Sequence, residues 1–527
     1  MERARHLGVG GTVASPRAIC DAASHTHSAR VATIGPRYFQ IGAVVILLVG
    51  FLVRAWDLGG PSLWTDEVLT AIRAQAPLRT SLESILSAGN QTPLYFFSLR
   101  IMPNFSEALL RLPSVLWGVL GIALFMFVAV RFSGSYELGL WGGALLAVNP
   151  YHVWLSRTAR QYAMIFVLAL LVSYCFLLLI RGHRTRSVWI TFTLASLIAY
   201  FTHYTTAALL VAQAAVLVLA PRARRELQVP WLKAQGIAAI PTLVWLYVVS
   251  QQPLEVKSEW IPAPGLRDVP LTIWNMALGY DGVFKWHMVA GLMVVSFGLV
   301  TGMWYAAREW KANRDNLYWF WLIAVALGPV FMLSTLIVSI YVDRYFMVFL
   351  PALILLMVAG WMRSAPRFVW QVALVIVLLT SAHNIIFSFY DGSYQRADWR
   401  GAAAYVAKEY QPGDDILIER SNVEQAFLRY FDPSLAPASE RVILADNPAA
   451  AFSPHTAPRV WVIYRNPIED VHRVGAMPDF DPFDPTLSPM GEWLSERRSQ
   501  VVAQRKFNGV RILLLDPSQP LVANAEP

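Results

Sequence analysis

The stretch PSLWTDEVLTAI, Pro61–Ile72, sets two adjacent carboxylates, Asp66 and Glu67, behind a tryptophan and shortly after a long apolar run. Such a pair can sit in solvent at the start of a helix, where the dipole favours negative charge. It can also do chemistry, with one carboxylate as a base and the other orienting it or holding a metal. Three other stretches put polar side chains at the ends of apolar runs. NPYHVWLSRTARQYAMIF (149–166) carries Arg157 and Arg160, YVDRYFMVFLPAL (341–353) carries Arg344, and YFTHYT (200–205) carries His203 and Tyr204. Arginine at mid-bilayer costs at least about 2.5–3.5 kcal/mol. These arginines therefore either snorkel to lipid head groups or line a pocket for an anion. Acid on one side and arginine on the other, at a lipid–water boundary, suits transfer of a sugar from a lipid-linked phosphate. Asp66 would take the proton of an acceptor hydroxyl, and Arg157, Arg160 or Arg344 would stabilise the departing phosphate. That leaving group is already a stable anion, so one carboxylate suffices.

The elements that must position these residues follow from composition. The chain has 527 residues, 56% hydrophobic and 15% charged, where a soluble domain carries about a quarter charged. Its many apolar runs have bilayer-crossing length, roughly 17–25 residues, so the chain reads as a polytopic α-helical membrane protein. The net charge of +8 resides between apolar runs rather than on one soluble face. It marks topology and argues against a nucleic-acid partner. Cys20 and Cys175 suggest no disulfide. Residues 1–37 lack the apolar core of a signal peptide and read as a disordered cytosolic tail.

We read about eleven spans, near 38–55, 112–131, 137–153, 161–180, 188–203, 205–220, 234–250, 286–306, 317–339, 345–362 and 368–389. With a cytosolic N-terminus every even-to-odd connection is basic, for example Arg181, Arg184 and Arg186, or Arg222, Arg224, Arg225 and Lys233. The positive-inside rule then assigns loops 56–111 and 251–285, and residues 391–527, to the outer face. In the first outer loop Leu69, Ile72 and Ala76 repeat at i, i+3 and i+7, which predicts a short helix lying on the membrane. Loop 251–285 is rich in Pro, Trp and Gly and reads as an irregular lid. Beyond 390, DWRGAAAYVAKEYQ, NVEQAFLRYF and MGEWLSERRSQ read as helices. DDILIER, RVWVIYR and GVRILLLD read as strands, so residues 391–527 form a small α/β domain. Asp398 and Arg400 read as helix-start residues. This domain either holds the acceptor or covers the site.

LWTDEVLT, TPLYFFSL, ALLRLPSVLWGVLGI, NPYHVWLSRTARQYAM, THYT and DRYFMVFLPALILL, in that order, resemble the bacterial membrane glycosyltransferases of the GT-C fold. Among these the chain is similar to the family 39 protein O-mannosyltransferases and the lipid A aminoarabinose transferases. The resemblance covers residues 38–390, the transmembrane catalytic domain, and DWRGAAAYV is also common in the group. It implies an inverting transferase using a polyprenyl-phosphate-linked sugar, with Asp66 at the catalytic acid position and Glu67 as partner. It implies that Arg157, Arg160 and Tyr162, with Arg344 and Tyr345, line the donor phosphate site. His203, Tyr204 and Gln91 join them as substrate-binding candidates. Gln91 stands where relatives often have His, and Thr158 where many have an acid. Both departures leave a divalent metal, on Asp66 and Glu67 if anywhere, an open option. The expected setting is a bacterial inner membrane, with the site facing the periplasm and a lipid, glycan or protein of the cell envelope as acceptor. The alternatives are a ligase or polymerase moving whole lipid-linked glycans, and a flippase-type transporter. A transporter calls for charges deep in the spans and matched broken halves.

Overall fold

The computed structural model describes residues 34–521, apart from 90, 253–260, 280–285, 310–313, 338, 390–396, 419–420, 433, 435–440, 444–457 and 468–478. Most of the expected N-terminal tail, and parts of the 251–285 loop, lie outside the described residues. The helices are α1 (Pro36–Ala55), α2 (Thr65–Gln75), α3 (Leu78–Ala88), α4 (Leu94–Ser98), α5 (Glu107–Ser133), α6 (Tyr136–Ala147), α7 (Pro150–Ser156) and α8 (Tyr162–Ile180). They continue with α9 (Arg186–Tyr200), α10 (Ala208–Leu219), α11 (Pro221–Ser250), α12 (Asp268–Leu278), α13 (Trp286–Arg308), α14 (Arg314–Leu327), α15 (Pro329–Leu336), α16 (Leu350–Ser364) and α17 (Arg367–Asn384).

All eleven expected segments are mainly helical. Among the described residues seven helices are long and apolar enough to cross a membrane: Pro36–Ala55, Glu107–Ser133, Tyr162–Ile180, Arg225–Ser250, Met288–Arg308, Arg314–Leu336 and Arg367–Phe387. The remaining segments are shorter helices or are interrupted. The third is broken at Asn149–Pro150, because proline cannot donate to the ladder. Asn149 caps the new helix, accepting from the His152 amide at 2.8 Å. Arg54, buried at the end of α1, takes the freed carbonyls of Ala147 (2.8 Å) and Leu146 (3.2 Å). Central α8 is apolar all round and almost wholly buried, as expected of a helix ringed by others. α13 and α16 approach closely at glycines, as small residues allow. A Cβ on Gly302 would collide with the Leu356 carbonyl, and one on Gly360 with that of Gly298.

The first outer loop contains the expected short helix, α2. The inward face of α2 is Glu67, Val68, Ala71 and Ala74. Leu69 and Ala76 are half-buried and Ile72 is exposed, so this apolar stripe lies away from the inward face. The loop at 251–285 is not irregular throughout, since it contains α12. Asn149 Nδ2 donates to the carbonyls of Met276 and Ala277 at 2.9 and 3.0 Å. Asn384 Nδ2 donates to Leu278 O at 2.6 Å. These bonds satisfy carbonyls that a helix C-terminus leaves open.

The C-terminal part holds α18 (Trp399–Glu409), β1 (Asp415–Ile418), α19 (Ser421–Leu428), β2 (Arg441–Ile443), β3 (Val460–Arg465), α20 (Pro489–Glu496), β4 (Val501–Phe507) and β5 (Val510–Leu515). The sheet order is β2-β1-β3-β5-β4. β1 pairs in parallel with β2 and β3, while β5 pairs antiparallel with β3 and β4. Every helix and strand read from the sequence here is present, and Asp398 caps α18 through the Gly401 amide at 2.9 Å. β2 and β4 are additional. β4 is an edge strand with Gln504, Arg505 and Lys506 exposed and a register shift at Val501/Ala503.

Candidate active site

The two adjacent acids have opposite surroundings. Glu67 points inward from the first turn of α2 and is buried. Its carboxylate takes a bidentate ion pair from Arg111 (Nε to Oε1 2.9 Å, Nη2 to Oε2 2.6 Å) and the Ala159 amide at 2.7 Å. Arg111 also donates to the carbonyls of Leu58, Pro61 and Ser62, each at 2.9 Å. Both oxygens of the Glu67 carboxylate are therefore engaged. Asp66 is more open. Its side chain is 26% exposed, and Oδ2 lies 3.9 Å from Nη2 of buried Arg160.

Arg160 is held by its main chain. Its carbonyl accepts from Ser114 Oγ at 3.2 Å, and Ser114 pairs with the Tyr95 hydroxyl at 2.9 Å. The guanidinium lies 5.9 Å from the centre of the Phe96 ring. Among the described residues its Nε is buried without a hydrogen-bond partner, an arrangement that native interiors rarely leave unexplained. Arg73, in the last turn of α2, lies 5.3 Å from the same ring. It donates to Ser84 (Oγ 3.2 Å, carbonyl 3.1 Å) and to Gln91 Oε1 at 2.7 Å. Burial first, and then the Arg160 charge, push the Arg73 guanidinium down to about 10 against the opposing pull of Asp66. Arg73 stayed unread in the sequence although it follows Asp66 by two helical turns, a spacing that shares a face.

Aromatic rings cluster beside these residues. The His203 ring lies 4.8 Å from Tyr345 and 6.3 Å from Tyr162, and the two tyrosines are 6.5 Å apart. The Thr205 amide donates to His203 Nδ1 at 3.3 Å, so the neutral ring carries its proton on Nε2. Arg344 stands 5.6 Å from the Tyr345 ring. The segment is anchored by buried Asp343, which accepts from Thr272 Oγ1 at 2.7 Å and Asn275 Nδ2 at 2.6 Å, both on α12. Thr92 Oγ1 donates to Thr202 O at 3.0 Å and ties the Gln91 segment to this turn.

The fold thus gathers Asp66, Arg160, Tyr162, His203, Arg344 and Tyr345 into one region, with Gln91 at its edge under Arg73. Tyr204 opens a short 3-10 turn beside His203 and is half-buried. Arg157 is engaged elsewhere. Its Nη1 donates to the carbonyls of Val53 (3.2 Å), Arg54 (3.0 Å) and Trp56 (2.6 Å), and its Nη2 to Asp57 O at 3.3 Å. It closes the C-terminus of α1. Thr158 turns its hydroxyl back to Trp154 O at 2.9 Å. Among the described residues no group of three or more His, Cys, Asp or Glu lies together as a metal site.

No protein-family model and no curated protein sequence matches the chain, but solved structures do. ArnT from Cupriavidus metallidurans bound to undecaprenyl phosphate matches with TM-score 0.51 and 14% identity, over 93% of this chain and 100% of that one. Its apo state gives TM-score 0.53 and 14% identity, over 93% and 99%. The apo oligosaccharyltransferase of Archaeoglobus fulgidus matches more loosely, with TM-score 0.45 and 10% identity over 82% and 70%. The chain has the GT-C fold: a multi-pass helical membrane protein carrying a C-terminal domain with a small sheet.

Proposed function

We propose that the chain is an inverting glycosyltransferase that moves a sugar from a polyprenyl-phosphate carrier to a cell-envelope acceptor at the outer face of a bacterial inner membrane. The observation that carries this is the pairing of Asp66, open to the cleft, with buried Arg160, whose Nε has no partner among the described residues. A carboxylate and an incompletely bonded guanidinium on one wall suit the two ends of a transfer. The acceptor hydroxyl gives its proton to Asp66 as its oxygen attacks the anomeric carbon. The bond from that carbon to the phosphate oxygen breaks, and polyprenyl phosphate leaves as an anion stabilised by Arg160, with Arg344 and the charge of Arg73 behind it. Tyr162, His203 and Tyr345 offer an aromatic wall for the sugar. We assign Glu67 to holding the acid loop, and Arg157 to holding α1. The bound undecaprenyl phosphate of ArnT supports the same carrier class here, and the basic connections support the orientation.

The test is release of free polyprenyl phosphate by purified protein in nanodiscs, measured by mass spectrometry over a panel of polyprenyl-phosphate sugars. Arms with and without divalent metal, and an Asp66→Asn variant, run in parallel. Release that depends on Asp66 supports the reading. No release from any donor, even with membrane extract as acceptor, would overturn it in favour of a pyrophosphate-linked glycan ligase or a transporter.

A further inference from the structure

The loop that delivers Asp66 is held by arginines from two different parts of the chain. Every carbonyl from Trp56 to Ser62 is taken by one of three guanidiniums. Arg157 takes Trp56 and Asp57, and Arg111 takes Leu58, Pro61 and Ser62. The remaining two, Gly59 and Gly60, go to Arg400 of the C-terminal domain at 3.4 and 2.8 Å. Arg400 also pairs with Glu107 Oε1 at 2.5 Å and lies 5.5 Å from the Tyr430 ring. The Tyr430 hydroxyl accepts from the Leu63 amide at 2.7 Å and donates to the same Glu107 oxygen at 3.0 Å. Ser62 Oγ donates to Ala397 O at 3.0 Å and accepts from the Trp399 amide at 3.2 Å. Four residues downstream of Ser62 stands Asp66.

We propose that Arg400 and Tyr430 are positioning residues for Asp66: the C-terminal domain clamps the acid loop from outside while Arg111 holds it from inside. The loop has two consecutive glycines, Gly59 and Gly60, and no regular element, so its own conformational preferences are weak. Its placement comes from these external donors. A reacting group misplaced by 1 Å can lose about 10²-fold in rate, so the clamp acts on turnover more than on donor binding. The donor-facing Arg160 and Arg344 stand on other segments.

This rests on the transferase reading, and the experiment separates the two. Tyr430→Phe and Arg400→Ala proteins are purified at full length in nanodiscs. Release of polyprenyl phosphate is measured for kcat and donor KM, and amide hydrogen exchange is followed across residues 58–70. We expect kcat about 10- to 50-fold lower with donor KM within about twofold, and exchange at Leu63 and the first turn of α2 about tenfold faster. Unchanged kcat in either folded variant overturns the proposal, as does unchanged exchange. So does a matched change in kcat and KM accompanied by a lowered melting temperature, which marks a merely structural contact. An inactive wild type counts against the transferase reading instead. Exchange needs no turnover, so faster exchange in the variants then still supports the clamp and unchanged exchange still overturns it.

Discussion

Two arginine-rich regions lie side by side at the same end of the helical bundle, and they use their guanidiniums differently. Around residues 53–62, Arg157, Arg111 and Arg400 donate to a run of backbone carbonyls and to the carboxylates of Glu67 and Glu107. Around Asp66, Arg160 approaches one carboxylate oxygen at 3.9 Å and keeps a buried Nε without a partner among the described residues. The first region has the bonding of a structural joint. The second is the region proposed above to receive the donor's phosphate. Position along the sequence does not separate the two kinds. Arg157 and Arg160 are three residues apart in the same turn and fall on opposite sides of the division, as do the neighbours Asp66 and Glu67. What separates the two arginines is how many of their donors meet acceptors among the described residues.

The most damaging challenge to this contrast is Asp66→Asn. If Asp66 is the base, the variant loses about 10²–10⁴-fold in transfer rate with an unchanged melting temperature. A fully active variant would erase the distinction. Glu67→Gln should do the opposite and lower stability, by about 3–5 kcal/mol for a broken buried ion pair, read as a fall in thermal midpoint in detergent. A stable but inactive Glu67→Gln protein would return Glu67 to the chemistry. Next in size, Arg160→Ala should raise donor KM about 10- to 100-fold, the worth of a charge-assisted bond. Arg157→Ala should leave donor KM unchanged and lower the melting temperature. Equal effects on KM from the two would dissolve the comparison.

The smallest effect concerns a saturated pair far from the cleft. Burial alone would raise the Asp414 carboxyl, but Arg459 (2.6 and 2.9 Å), the Gln411 amide and the Trp461 indole together hold it below the ordinary carboxylate range. A carboxyl depressed on folding contributes stability above its unfolded value, and that contribution is lost as pH falls below about 4 through the folded value. Melting temperature should therefore fall between pH 5 and 3 in the wild type, and by less in Asp414→Asn. Identical acid profiles would show that saturation of this kind contributes nothing to stability.

Much of this was legible in the sequence, because lipid-facing and buried helices must be apolar over bilayer length. The eleven apolar segments and the α/β alternation of the last domain followed from that. β4 escaped because VVAQRKF lies at a sheet edge with most of its side chains exposed, so no strand-like apolar alternation marks it. α12 escaped because Pro270 and Trp274 suggested a loop, although proline is tolerated in the first turn of a helix. Within the candidate site, Asp66 and Arg160 were singled out from their chemistry, and the structure brings them within 3.9 Å. The ion pair of Glu67 was not legible, because its partner Arg111 lies 44 residues away and no local period links them. The same distance problem hid the anchoring of Asp343 by Thr272 and Asn275, 71 and 68 residues away.

The outermost strand of the C-terminal sheet has a consequence for behaviour outside the membrane. Among the described residues β4 pairs on one side only, with β5, and a row of backbone groups left open in this way is the usual starting point of fibrous self-association. Arg505, Lys506 and the irregular register at Val501/Ala503 make that row a poor template: like charges from a second copy would be driven together, and the local twist would not match. A domain held at high density on a crowded membrane surface is thereby kept from zipping to its neighbours.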